Sequence, residues 1–108
     1  MGTLLAERRR SVRTPAAYQA TLYSRQGRVL ARGRTTNISQ SGAFVVAENR
    51  RNIPLSGRIC VEIAVPGLSV SPGRRARMRV VRYACRIVRT QALGQLIGLG
   101  IEFVRKLD

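Results

Sequence analysis

Two clusters of side chains in this sequence have the types and spacing to hold a small ligand. In the stretch NISQSG, Asn37 offers a side-chain carbonyl that can accept from guanine N1–H or its exocyclic amine, and Ser39 offers a rotatable hydroxyl. Gly42 removes the Cβ that would block a close approach or a positive φ. An Asx-type turn that only caps a strand end uses the same residue types, and these six residues alone favour that plainer reading. In the stretch ERRRSVR, Arg9 and Arg13 lie four apart with Arg8 alongside. On a hinged arm, such guanidiniums can converge on phosphates, fork onto the O6/N7 edge of guanine, or stack on its face. Turn and arm together would grip opposite sides of one nucleotide.

The rest of the composition favours binding over chemistry. The chain has no histidine, and its acids, Glu7, Glu48, Glu62, Glu102 and Asp108, are scattered without a paired motif. No serine has an evident activating partner. An enzyme is therefore not expected, and neither is a cofactor or a metal. Twenty basic residues against five acids give a formal net charge of +15, and every basic residue except Lys106 is arginine. That balance points to a phosphate-bearing or polyanionic partner and to planar, bidentate recognition. Cys60 and Cys85 lack CxxC spacing and fall in strand-like segments, so they read as buried or half-buried thiols, with metal binding or a disulfide as minor alternatives. No run is long and apolar enough to span a membrane and no secretory signal is apparent, so a cytoplasmic location is expected, whether the chain stands alone or is part of a longer protein.

These residues need a scaffold, and 108 residues with a hydrophobic fraction of 44% suit one small folded domain. Residues 1–15 show no strand pattern and read as a flexible basic arm; residues 16–108 read as the domain. AYQATLYS and VLARGRTT alternate around a turn at Gly27 and predict a hairpin that runs into NISQSG. AFVVAE follows. RICVEIAVPG then sets Ile59, Val61, Ile63 and Val65 on one face and Arg58, Cys60 and Glu62 on the other, before a Pro-Gly turn. RMRVVRYACRIVR predicts a long strand whose inward face switches at a bulge. QLIGLGIEFV closes the series, with Gly98 and Gly100 suited to a sharp bend or to close approach of another backbone. About six strands with short connections predict an all-β fold, a small antiparallel barrel that removes sheet edges by closure; an OB-like or SH3-like barrel fits the same pattern.

The order of these features resembles the PilZ domain family, receptors for the bacterial second messenger cyclic diguanylate (cyclic di-GMP). The pair RxxxR at Arg9 and Arg13 stands just ahead of the first strand. The motif [D/N]xSxxG at Asn37, Ser39 and Gly42 stands after the second, and AFVV, CVEIAVPG and GLGIEF follow in the family's usual order. RxxxR spacing also occurs at Arg28/Arg32, Arg75/Arg79 and Arg82/Arg86, so placement rather than spacing carries the likeness. The resemblance implies a six-stranded antiparallel PilZ-type β-barrel that binds cyclic di-GMP without chemistry and relays it to an effector protein that the sequence does not name. It implies that Arg9 and Arg13 contact phosphate and guanine, that Arg8 adds a further contact, that Asn37 and Ser39 hold the guanine edge, and that Gly42 shapes the turn. An arginine just before RxxxR, here Arg8, implies two intercalated ligands per chain. Many members carry aspartate where this chain has Asn37, which keeps the acceptor and loses the charge. Only RKLD follows the last expected strand, so the C-terminal helix of many members is not expected. Two other readings remain open from sequence. A basic barrel binding RNA or DNA has the charge in its favour, but with 5% aromatic residues it has few bases' worth of stacking surface, so nucleic acid is the weaker partner. A PilZ-like adaptor without ligand is opposed by the intact motif residues.

Overall fold

Period-two alternation in the sequence becomes strands that share one core. The computed structural model describes residues 14–50, 53–54, 57–67 and 78–107. Seven strands occur in them: β1 (Thr14–Pro15), β2 (Gln19–Tyr23), β3 (Val29–Ile38), β4 (Gly42–Glu48), β5 (Gly57–Pro66), β6 (Met78–Leu93) and β7 (Leu96–Leu107), with no helix among the described residues. All pairings are antiparallel. Running β3-β2-β5-β6-β7-β4 and back to β3, the six long strands close into a barrel, so each is bonded on both sides. β1 is a two-residue extension that continues the line of β2 along β3, pairing Thr14 with Ile38 and Pro15 with Asn37. Thr14 and Pro15, counted with the arm from sequence, are thus attached to the barrel.

The core is built by the residues that the alternation singled out. Ile59, Val61 and Ile63 of β5 point inward, and Val45, Leu99 and Ile101 meet them from β4 and β7. Burying each such side chain contributes about 1.5–3 kcal/mol of transfer free energy. Val65, the last member of the β5 series, is only partly buried and packs at the edge of the cluster. Cys85 is buried in the core and Cys60 is half-buried on β5, both as free thiols.

Four residues stand outside the ladders, and each re-aims a strand. Leu30 is skipped between the pairs Leu22–Ala31 and Tyr23–Val29, so Leu30 and Ala31 are both buried although adjacent. Thr36 is skipped between Thr35–Val45 and Asn37–Phe44. Val88 on β6 and Val104 on β7 are skipped between those two strands. The face switch expected in β6 falls at Val88, which puts Arg89 opposite Gly100 on the outer surface. Two expectations change. β7 runs through Arg105 and Lys106 to Leu107 instead of ending before them, because the outer part of β6 gives them pairing partners. Gly98 and Gly100, for which a sharp bend or close approach of a backbone was expected, receive side chains, Phe44 and Arg89 respectively.

Candidate functional site

The turn NISQSG joins β3 to β4 and is organised by Ser39. Its N–H donates to the Gly42 carbonyl at 2.9 Å. Its Oγ accepts from the backbone N–H groups of Ser41 and Gly42, each at 3.2 Å, and lies 3.3 Å from the Gly42 carbonyl and 3.2 Å from the Ser41 hydroxyl. Both lone pairs are therefore engaged, and the one hydrogen is shared among acceptors. The turn docks onto β7, where Phe103 N–H donates to the Ser41 carbonyl at 2.8 Å. Gly42 is needed for the first of the two reasons open from sequence: a Cβ there would run into the carbonyl oxygen of Ile101, whereas its φ is not positive.

Asn37 owes its direction to the bulge. In a regular strand residues two apart share a face, so Asn37 would follow the buried Thr35 into the core. The extra residue Thr36 breaks that parity. Asn37 instead pairs with Phe44, which stands on the outer face between the buried Ala43 and Val45, and is itself half-buried.

Thr35 performs the other task at this end of the barrel, and nothing in the sequence distinguishes it from any strand threonine. Only 1% exposed, it is the buried polar residue among those described. Its hydroxyl accepts from Tyr18 N–H at 2.9 Å and donates to the Ala16 carbonyl. Thr35 N–H donates to the Tyr18 carbonyl at 2.8 Å, and Ala16 N–H to the Thr36 carbonyl at 3.2 Å. These bonds span the gap between β1 and β2 and fasten the entry of the chain to the strand that carries Asn37. Arg8, Arg9 and Arg13 lie outside the described residues, but Arg13 is covalently followed by Thr14, the partner of Ile38, and Ile38 precedes Ser39.

The electrostatics of the surface are one-sided. The described carboxylates are each matched to an arginine: Glu48 to Arg50, Glu62 to Arg82 and Glu102 to Arg86. Such exposed pairs add little stability. Their consequence is that Arg32, Arg34 and Arg89 have no carboxylate partner among the described residues. Of the concavities on the barrel, none includes the turn residues Ser39 to Gly42, and only the first of the following two approaches them. One, of about 440 Å³, runs along the outer side of β3 and β4 from Arg32 to Thr36 and Glu48; another, of about 350 Å³, lies between Arg25, Ile53 and Arg58. No group of three or more potential metal ligands occurs among the described residues. Sequence reasoning found the turn and missed its supports, Thr35, Ser41 and the Thr36 bulge, whose partners are all distant in the chain or set by register.

The PilZ domain matches residues 7–108, nearly the whole chain. The chain belongs to the PilZ domain family. PilZ domains are receptor and adaptor domains, not catalysts. No curated protein sequence matches the chain. Among solved structures it is similar to the Bacillus subtilis inhibitor of motility (MotI/DgrA), with a TM-score of 0.69 at 17% identity, over 92% of this chain and 44% of that one. At that identity the likeness is one of fold: a closed six-stranded PilZ-type barrel. This chain spans less than half the length of that structure.

Proposed function

We propose that this PilZ domain binds cyclic di-GMP between the turn Asn37, Ser39, Gly42 and the arginines Arg8, Arg9 and Arg13, and passes the bound state to an effector protein in the cytoplasm. The observation that carries this reading is the register of β1: Thr14 against Ile38 sets the root of the arm beside the turn. Arg13 follows within one peptide unit of ~3.8 Å, and Arg9 within roughly 17 Å of extended chain. The family assignment and the intact motif supply the ligand class.

The chemistry follows from the groups present. Phosphodiesters are anionic at all physiological pH, and guanidinium forks bind them with charge-assisted bonds while losing their own mutual repulsion. Asn37 supplies a neutral acceptor to guanine N–H groups. Ser39 has both lone pairs engaged in the turn, so its contribution to ligand is the hydrogen, swung from the Gly42 carbonyl to a guanine acceptor such as N7 or O6. An arm that closes on the ligand presents a new surface, and that is the route to the effector. Arg8 and Arg10 flanking Arg9 supply the extra cations that a stacked pair of ligands with four phosphates needs, so we assign two intercalated cyclic di-GMP molecules per chain.

Titration of the purified protein with cyclic di-GMP, against GTP, cyclic GMP and a short random oligonucleotide at physiological salt, tests the reading. Saturable preference for cyclic di-GMP is expected. An electrostatic surface binder would prefer the longer polyanion and weaken steeply with salt. A ligand-free adaptor is favoured by one observation, the internally satisfied Ser39 hydroxyl; it predicts no saturation by any of the four.

A further inference from the structure

A ridge of two arginines divides the outer face of the barrel where β3 runs between β2 and β4. Arg32 and Arg34 follow and precede the buried Ala31 and Thr35, so both point outward, about 7 Å apart along the strand. Toward β2 they face neutral polar groups: Arg32 pairs with Thr21 and Arg34 with Gln19, and these four residues line a hollow of about 350 Å³. Toward β4 they face hydrocarbon. Arg34 pairs with Val46, which is turned outward between the buried Val45 and Ala47, and Leu96 pairs with Glu48 at the far end of the 440 Å³ groove. Leu96 is 42% exposed, and Leu93, its partner on β6, is 38% exposed.

Charge and hydrocarbon thus lie side by side, and neither is used inside the domain. Arg32 and Arg34 have no carboxylate partner among the described residues, because Glu48, Glu62 and Glu102 are matched to Arg50, Arg82 and Arg86. Glu48 borders the groove, but its pairing with Arg50 at 3.2 Å leaves the β3 side as the positive one. An occupant that satisfies both sides carries carboxylates toward β3 and apolar atoms over Val46 and Leu96. Among the described residues no aromatic side chain lines the groove, so a nucleobase has nothing to stack on. Gly33 shapes the floor: a Cβ there would meet the Val46 carbonyl and Ala47, so glycine lets β3 and β4 close up beneath the groove.

We propose that this groove docks an acidic segment of a partner protein, anchored by one large apolar side chain over Val46 and Leu96 and held by its carboxylates at Arg32 and Arg34. At a net charge of +15 the whole surface attracts acidic chains; the apolar floor is what makes one place on it a site. None of the groove residues belongs to the turn from Ser39 to Gly42 or to the RxxxR arm, so the proposal goes beyond the receptor reading and stands or falls without it.

Three probes of equal charge are titrated into the full chain at physiological salt and followed by amide NMR: the capped peptides Glu-Glu-Leu-Glu-Glu and Glu-Glu-Gly-Glu-Glu, and a short oligothymidylate. The leucine peptide should saturate, with shift changes grouped at Arg32 to Thr36, Val46 to Glu48 and Leu96. Burial of the leucine side chain should make it bind roughly tenfold or more tightly than the glycine peptide. Leu96→Gln should narrow that gap. Arg32→Glu combined with Arg34→Glu should abolish saturation, whereas Arg58→Glu combined with Arg105→Glu, the same change of net charge elsewhere, should leave binding nearly intact. If the groove reversal fails to fold, the leucine preference in Leu96→Gln, at an exposed position, decides alone. The proposal is overturned by equal affinity for the two peptides, by equal losses in the two reversals, by tighter binding of the oligothymidylate at the same amides, or by no saturation with the leucine peptide. None of these results bears on cyclic di-GMP binding at the turn and arm.

Discussion

Replacing Thr35 with valine removes one hydroxyl and keeps the shape of the side chain, so it isolates the fastening of the chain entry to β3. Thr35 is 1% exposed, so water cannot replace what is lost. The bond from Tyr18 N–H and the bond to the Ala16 carbonyl both disappear, while the Thr35 N–H bond to the Tyr18 carbonyl and the Ala16 N–H bond to Thr36 remain. Net hydrogen bonds of this kind are worth about 0.5–1.5 kcal/mol each, which sets the expected destabilisation at about 1–3 kcal/mol. The loss should be read as a lower urea midpoint with unchanged slope. It should also be local: amide exchange at Ala16 and Tyr18 should speed up more than exchange in β5, and cyclic di-GMP affinity should fall because the root of the arm is no longer held at Ile38. Thr35→Ser is the counterpart. It keeps the hydroxyl and removes a methyl group, so it should cost about 1 kcal/mol from the core while preserving protection at Tyr18. A Thr35→Val protein with the original urea midpoint and unchanged Tyr18 exchange would refute the fastening argument.

Gly42→Ala should destabilise by at least about 1–3 kcal/mol in urea unfolding, because the added methyl meets the Ile101 backbone carbonyl, which cannot rotate away; an unaltered midpoint would contradict the close approach. Arg13→Ala should weaken cyclic di-GMP binding by about 1.5–3 kcal/mol and Ser39→Ala by about 0.5–1.5, whereas Arg28→Ala and Arg32→Ala, a decoy RxxxR pair, should change it little. Equal losses in calorimetry at motif and decoy would assign binding to net charge. Calorimetry should also give two ligands per chain for the unmodified protein and one for Arg8→Leu; a single-ligand endpoint in the unmodified protein counts against the intercalated pair. Burial, with the nearby Cys60 thiol as a lesser cause, pushes the Cys85 thiol up to about 12 from 9.0. A disulfide reagent at pH 8 should therefore leave Cys85 untouched until denaturant is added. The same shift has a stability consequence: because the folded thiol holds its proton more tightly than the unfolded one, its contribution is intact below about pH 9 and is lost as pH rises toward about 12.

Strand identity and the local motif were legible in the sequence because both depend on neighbours in the chain. Ile59, Val61 and Ile63 alternate with Arg58, Cys60 and Glu62, and that alternation alone assigns β5 and its core face. The order of RxxxR, hairpin, [D/N]xSxxG and GLGIEF was enough to recognise the family, and the expectation of a closed six-stranded barrel is met. What only the tertiary structure decided is direction and proximity. Composition gives no sign that Thr36 is an extra residue, yet that single insertion turns Asn37 outward while Thr35 stays inside. The requirement for glycine at position 42 comes from Ile101, 59 residues away in sequence. The nearness of the arm's root to the turn comes from the pairing of Thr14 with Ile38. Register is settled by how four or more strands share one closed core, and a slip of one residue would exchange every inward and outward side chain. A pattern with period two in each strand leaves that alignment undetermined; closure of the barrel selects it.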